Sequence, residues 1–300
     1  MTLRLAVFTK NLSNPAYGAA RLGAERAAAA LDAEVLHFVP EKGDDPDEQI
    51  QLVDQALALR PRPDALVFSP VHASKVDAAV QRIADAGIPM IGFVNPIAAA
   101  PMVSYVSSDD YQLALAIAHY LFTHMKGCGQ VLVVTGPTES VTSLERLRGF
   151  HEAARQHPGI TIAAVVAGDY VRDVARERTA RWLQANPGPD ACLVANDIMA
   201  IGVLDALDAA GRQAAVVGVN AIPQAIDAIA AGRMLATADF NAMQMAYLAA
   251  ECAVRHLRGE NVPASIELPV QIVDSGNYRQ WDRPYAQRPV ITLEQLRNKT

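Results

Sequence analysis

Short polar side chains stand where apolar, strand-like runs give way to helix-spaced segments, and amides or carboxylates placed there can hold a ligand by directed hydrogen bonds. The clearest case is Leu193-Val194-Ala195-Asn196-Asp197-Ile198-Met199-Ala200-Ile201-Gly202, in which the apolar run ends in two polar residues and a helical pattern starts at once. It reads as a buried parallel strand that delivers Asn196 and Asp197 to the carboxyl edge of a sheet. Open α/β sheets hold their ligands beyond that edge. The plainer alternative makes Asp197 a helix cap, its carboxylate accepting a backbone N–H of the first turn. Similar junctions recur at Asn14-Pro15, at Ser107-Ser108-Asp109-Asp110 and at Asn220. Asn14 also suits a cap followed by proline in the first turn, and either Asp109 or Asp110 could cap the helix that follows them.

Other chemistries find no pattern. His37, His72, His119, His124, His151, His157 and His256 show neither HxxxH nor HExxH spacing. Cys128, Cys192 and Cys252 are odd in number and far apart, which fits neither a disulfide framework nor a CxxC site. Gly127-Cys128-Gly129 precedes a strand instead of leading from one into a helix, so it lacks the context of a dinucleotide loop. With no GxSxG elbow and no Walker loop, the expectation is no catalytic residue, no metal and no cofactor. The balance of 26 basic against 32 acidic residues, −6 overall, argues against nucleic acid as a partner. No apolar run approaches the roughly 20 residues of a membrane span, so no direct membrane insertion is expected. The chain opens on Met1-Thr2-Leu3-Arg4 without a signal-peptide pattern, which reads as a cytoplasmic protein or as one whose export signal has been removed.

Positioning such junctions takes more than one core, because 300 residues exceed what a single core usually fills. Strands are expected over 3–8, 34–39, 65–68 and 88–94, with helices between them from about 15 to 31, 49 to 59 and 74 to 86. That alternation means βαβ units and a parallel sheet. It pauses at 95–103, passes through a brief strand at 105–106 and a helix over 111–125, and restarts at Gln130. The second series has strands at 131–134, 161–166, 191–194 and 215–219, with helices at 141–156, 172–184, 198–210 and 223–231. The end is less regular: a strand at 235–238, a helix over 244–257, one last strand at 266–273, and a tail from 274 to 300. Tyr278, Trp281 and Tyr285 in that tail are expected to pack on the second lobe.

The order and spacing of these segments resemble ribose-binding-type (type I) periplasmic solute-binding proteins of ABC sugar importers, kin to lac-repressor effector domains. The landmarks are Asn14-Pro15-Ala16-Tyr17, Ser107-Ser108-Asp109-Asp110, Arg146-Leu147-Arg148-Gly149-Phe150, the 195–202 stretch, Val216-Val217-Gly218-Val219-Asn220 and Leu235-Ala236-Thr237-Ala238. The resemblance runs from Leu3 to about Asn277. It implies an α/β fold of two Rossmann-like lobes with parallel sheets, joined by three crossover hinges that close on a ligand. The first lobe would take 1–124 and 241–268, and the second 125–240 and 269–300, with crossovers near 123–126, 240–241 and 269–270.

The resemblance further implies a monomeric, non-enzymatic protein of the periplasm that captures a small neutral sugar or sugar alcohol and delivers it to membrane permease subunits. Carried over, Asn14 and Asp109 are polar contacts from the first lobe, Asn196 and Asn220 from the second, and Tyr17 and Tyr170 fall on aromatic positions. Arg146 and Phe240 complete the expected site, although Arg146 could instead pair with Glu145 or Glu139 on the surface. A sugar offers C–H faces to aromatic rings and hydroxyls that want a donor and an acceptor each, and Asn supplies both. Four positions depart from the ribose pattern. Ala16 stands where a second aromatic is usual, Leu144 where an arginine is, Asn220 for an aspartate, and Phe240 for a glutamine. Those departures point to a ligand other than ribose. A regulator's effector domain or a chemoreceptor sensor is the alternative, although no helix-turn-helix precedes the first strand.

Overall fold

Proline opens three helices at positions where its missing N–H costs nothing, and a short polar side chain caps two of them. Asn14 accepts the N–H of Ala16, and Asp45 accepts those of Asp47 and Glu48. The computed structural model describes residues 2–298, so Met1, Lys299 and Thr300, at the ends of the expected lobes, lie outside the described residues. In chain order the first elements are β1 (Leu3–Phe8), α1 (Pro15–Ala30), β2 (Ala33–Phe38), α2 (Pro46–Ala58), β3 (Ala65–Phe68), α3 (Asp77–Asp85), β4 (Met90–Phe93) and β5 (Ser104–Ser108). There follow α4 (Asp110–His124), β6 (Cys128–Thr135), α5 (Val141–Gln156), β7 (Gly159–Ala167), α6 (Arg172–Ala185), β8 (Ala191–Val194), α7 (Asp197–Ala209), β9 (Ala215–Val219), α8 (Pro223–Ala230) and β10 (Ala236–Asp239). The chain ends with α9 (Ala242–Leu257), β11 (Ser265–Leu268), β12 (Gln271–Asp274), two 3-10 turns at Tyr278–Gln280 and Tyr285–Gln287, and α10 (Leu293–Arg297).

The elements divide into two compact units. Unit 1 holds residues up to Ser108, Asn241–Leu268 and the chain from Tyr285 on; unit 2 holds Asp109–Phe240 and Pro269–Pro284. Unit 1 has a six-stranded parallel sheet in the order β11-β5-β4-β3-β1-β2. Phe8 at its centre stacks on Phe38 at 4.8 Å and tilts against Phe68 at 5.0 Å. Each such ring taken out of water contributes about 1.5–3 kcal/mol. Unit 2 repeats the plan in the order β12-β10-β9-β8-β6-β7, with β12 antiparallel to β10. In both sheets the strand order reverses beside the first strand of the series, next to β1 and next to β6. Side chains beyond the carboxyl ends there reach a natural crevice.

Three boundaries differ from expectation. The first crossover falls at Ser108/Asp109, not near 123–126, because α4 packs along α5 and against β9 and β10 and so belongs to unit 2. The single strand expected over 266–273 is two: Pro269 lacks a ladder N–H, and the chain leaves one sheet for the other around it. The segment after 274 is divided as well. Its later part crosses back at Pro284/Tyr285 and docks on α9 of unit 1. There the amide of Gln244 pairs with both backbone groups of Ile291, at 2.6 and 2.7 Å, and Glu251 accepts the N–H of Leu293 at 2.9 Å. The chain therefore passes between the units four times, where three were expected.

Cys192 and Cys252 are buried and Cys128 is exposed, all as free thiols. Burial pushes the Cys192 thiol up to about 12 and that of Cys252 up to about 11. Among the described residues no helix is long and apolar enough to cross a membrane.

Candidate ligand-binding site

The carboxyl edge of unit 1's sheet begins where β1 runs out. Thr9, Lys10 and Asn11 follow it, all buried. Asn11 holds the loop together, its Oδ1 accepting the Asn14 N–H at 3.0 Å while its Nδ2 donates to Asp44 at 2.8 Å. Asp44 also faces the Lys10 ammonium at 3.8 Å. Asn14 commits its Oδ1 to the α1 cap, so its two Nδ2–H donors are what the side chain has to offer a ligand. Tyr17 is buried one turn along. After β3, Ser69 is fully buried, and Gln49 fixes its loop by donating to the Ser69 carbonyl and accepting the Val71 N–H, both at 3.0 Å. After β4, Val94 takes a left-handed φ of 68° and Asn95 donates to the Pro70 carbonyl. Ser69 Oγ, Asn95 Oδ1 and Ser108 Oγ are buried here with no protein partner. Three unmet oxygens on one sheet edge are costly, at about 1–3 kcal/mol each when left dry. A ligand's hydroxyl groups would satisfy them.

Unit 2's edge is built differently. Asn196 lies two residues past β8 and caps α7, its Oδ1 accepting the Met199 N–H at 3.0 Å. Asp197 is therefore not the cap. Its carboxylate is fully buried, accepting the Thr237 hydroxyl at 2.7 Å and the Ile222 N–H at 3.1 Å. A Cβ added at Gly218 would sit 2.3 Å from Asp197 Oδ1, so only glycine leaves room for this carboxylate. Burial pushes the Asp197 carboxyl up to about 7 from its ordinary 3.8. The two hydrogen bonds and the charge of Arg146 oppose that rise, and the charge of Asp239 adds to it.

Arg146 is buried, not on the surface. Its Nε donates to Asp110 at 2.7 Å and its Nη1 to the Ala195 carbonyl at 2.6 Å, while its guanidinium lies 5.0 Å from the centre of the buried Phe240 ring. Glu145 pairs with Arg148 instead. Asp109 belongs to unit 2 and not to the lobe of Asn14. It caps α4 through the Gln112 N–H at 2.9 Å, leaving Asp110 for the arginine. Tyr170, at a left-handed φ of 59°, lays its ring over Gly136, where a Cβ would come within 2.3 Å of it, and its hydroxyl meets Thr142 Oγ1 at 3.1 Å. Beyond β9, Asn220 and Ala221 both have positive φ, 124° and 51°, and Asn220 Oδ1 is buried with no protein partner.

Within unit 2 the expected residues Arg146, Asn196 and Phe240 thus gather around the ends of β8 and β10, with Asn220 on the strand between them and Tyr170 at the end of β6. Within unit 1, Asn14 and Tyr17 share the start of α1. Sequence reading passed over Lys10, Ser69 and Asn95, and named Ser108 only as part of a junction. The signal was available, since each lies at the end of a strand or within two residues of it. Among the described residues no group of three His, Cys, Asp or Glu is placed to hold a metal ion.

A sequence profile of the periplasmic binding protein domain matches residues 5–261. The chain belongs to this family. Relatives of this periplasmic binding protein include the D-ribose/D-allose-binding protein of Pseudomonas aeruginosa, 28% identical over 241 residues that cover 76% of this chain and 75% of that protein. Among solved structures, a periplasmic solute-binding protein of an ABC transporter from Actinobacillus succinogenes 130z with bound D-allose superposes with a TM-score of 0.87 at 26% identity, covering 93% of this chain and 99% of that one. A Caulobacter myo-inositol binding protein with bound myo-inositol gives 0.85 at 27%, covering 93% and 95%.

Proposed function

We propose that this chain is the solute-binding component of an ABC importer, capturing a small neutral sugar or sugar alcohol without catalysis and delivering it from the periplasm to membrane permease subunits. What supports the reading best is the character of the unmet groups at the two carboxyl edges. Ser69, Asn95, Ser108 and Asn220 present neutral hydroxyl and amide oxygens. The charges beside them have partners inside the protein, Arg146 in Asp110 and Lys10 in Asp44. A polyhydroxylated, uncharged ligand matches that inventory, and each matched hydroxyl discriminates by roughly 1–3 kcal/mol. In this reading Asn14, Asp109, Asn196 and Asn220 bind hydroxyls, Tyr17 and Tyr170 cover C–H faces, and Arg146 and Phe240 frame the site.

The test is a melting series with D-ribose, D-allose, myo-inositol and a wider panel of pentoses, hexoses and polyols. One of them should raise Tm by several degrees, as expected when a ligand binds only the folded state. Flat curves across the panel would sink the reading, and chemical change of a bound sugar on long incubation would overturn its non-catalytic part.

A further inference from the structure

The turn that carries Asn220 is held from two sides. Toward the core, Ala221 N–H donates to the Thr237 hydroxyl at 3.3 Å and Ile222 N–H to the Asp197 carboxylate. On the other side Ala221, with Ile226 and Val273, forms a small apolar cluster against which Tyr278 and Trp281 of the C-terminal segment pack. Trp281 does a second thing there. Its Nε1–H donates to Asp239 Oδ2 at 2.8 Å, at the end of β10, the strand paired with β9. Indole N–H is a donor only and carries no charge, so it fixes the carboxylate without neutralising it. One side chain therefore packs against the cluster that includes Ala221 and holds the neighbouring strand end.

Two successive non-glycine residues at positive φ hold that shape only when their surroundings over-determine it. The base of the segment is secured in turn. Asp274 accepts the Tyr120 hydroxyl at 2.8 Å, and Asn277 donates to the Ile272 carbonyl at 2.8 Å. Past Pro284 the chain is fastened to α9 of unit 1 through Gln244 and Glu251, so Trp281 sits on a stretch anchored at both ends.

We propose that Trp281 is a positioning residue for the ligand site: from the C-terminal segment it sets the Asn220–Ala221 turn and the Asp239 carboxylate, and thereby the affinity for the sugar. The inference rests on the sugar-binding reading above. Trp281→Phe keeps most of the ring packing and removes the N–H, whereas Trp281→Ala removes both. Trp182→Phe, on α6, is the control and leaves Trp281 as the sole tryptophan.

Calorimetry with whichever of D-ribose, D-allose and myo-inositol the wild type binds should show at least roughly tenfold weaker binding in Trp281→Phe, the worth of one hydrogen bond to a charged group, with wild-type affinity in Trp182→Phe. Trp281→Ala should be weaker still. Saturating ligand should change the Trp281 emission of the Trp182→Phe protein, a signature that a merely stabilising packing role would not produce. Wild-type affinity in Trp281→Phe, or emission unmoved by bound ligand, overturns the proposal. A ligand-free measurement separates it from the function itself. Asp239→Ala in the Trp182→Phe background should shift Trp281 emission even if no sugar binds, and an unshifted spectrum overturns the pairing on which the proposal stands.

Discussion

The carboxyl edges of the two sheets follow one topology and differ in what they bury. Unit 1's edge carries one ion pair, Lys10 with Asp44, and otherwise holds hydroxyls and amides, with Ser69, Asn95 and Ser108 leaving oxygen atoms unmet. Unit 2's edge is framed by titratable side chains that have partners, with Arg146 on Asp110, Asp197 against Thr237 and Asp239 on Trp281. The difference separates two tasks that a binding site must perform. Neutral groups kept short of partners, Asn220 among them, are available to a ligand, while titratable groups with partners hold the backbone around them.

If the frame of unit 2 is structural, breaking it should cost stability first. Arg146→Met leaves Asp110 buried without its cation and should lower the unfolding free energy by about 3–5 kcal/mol, read by urea denaturation. A loss under 1 kcal/mol would mean that this pair is not what holds the edge. Asp197 gives the next largest effect, with a defined sign. The folded protein keeps its proton up to about pH 7, whereas the unfolded chain releases it near 3.8, so its contribution is fully present below the lower value and is lost as pH rises through the higher. Asp197→Asn should remove a pH-dependent term of up to about 3–4 kcal/mol between pH 4 and 7, visible as a flatter stability profile than the wild type's.

The edge of unit 1 should behave the other way round. Asn14→Asp keeps the acceptor that caps α1 but removes the two N–H donors, so Tm should stay within a degree or two while sugar affinity falls about tenfold. A large drop in Tm would show Asn14 to be chiefly a cap. Smallest of all, Ser108→Ala deletes an unmet buried oxygen. It should leave stability unchanged or raise it by up to about 1 kcal/mol and weaken binding only a few-fold, as followed by calorimetry.

The alternation of strands with helices was legible because most strands of the two series are largely apolar runs bounded by polar junctions. Burial of single charges was not. Asn196 and Asp197 are adjacent and equally able to cap. What makes Asn196 the cap is that Thr237 and Ile222, far along the chain, claim the other carboxylate. Arg146 stands among acidic neighbours on α5, and its inward turn depends on Asp110, which local spacing leaves free to cap α4. Lys10 looked like part of a polar loop, and only the return of the chain at Asp44 buries it. Residues 266–273 read as one strand because the residues on either side of Pro269 are β-compatible, yet the two parts pair with β5 and β10 in different sheets. The charge partners and the change of sheet are facts about distant segments. A local reading sees only the groups available to them.

The cysteines have a practical consequence. Two thiols are buried and stay protonated through neutral pH, while Cys128, at the first position of β6, is open to solvent. Thiol reagents act on an accessible thiolate, so a maleimide dye added to the folded protein has one sulfur to find. That sulfur lies at the opposite end of β6 from the carboxyl edge, which makes the native chain ready for single-site labelling in a reporter or surface-bound sensor without engineering any residue.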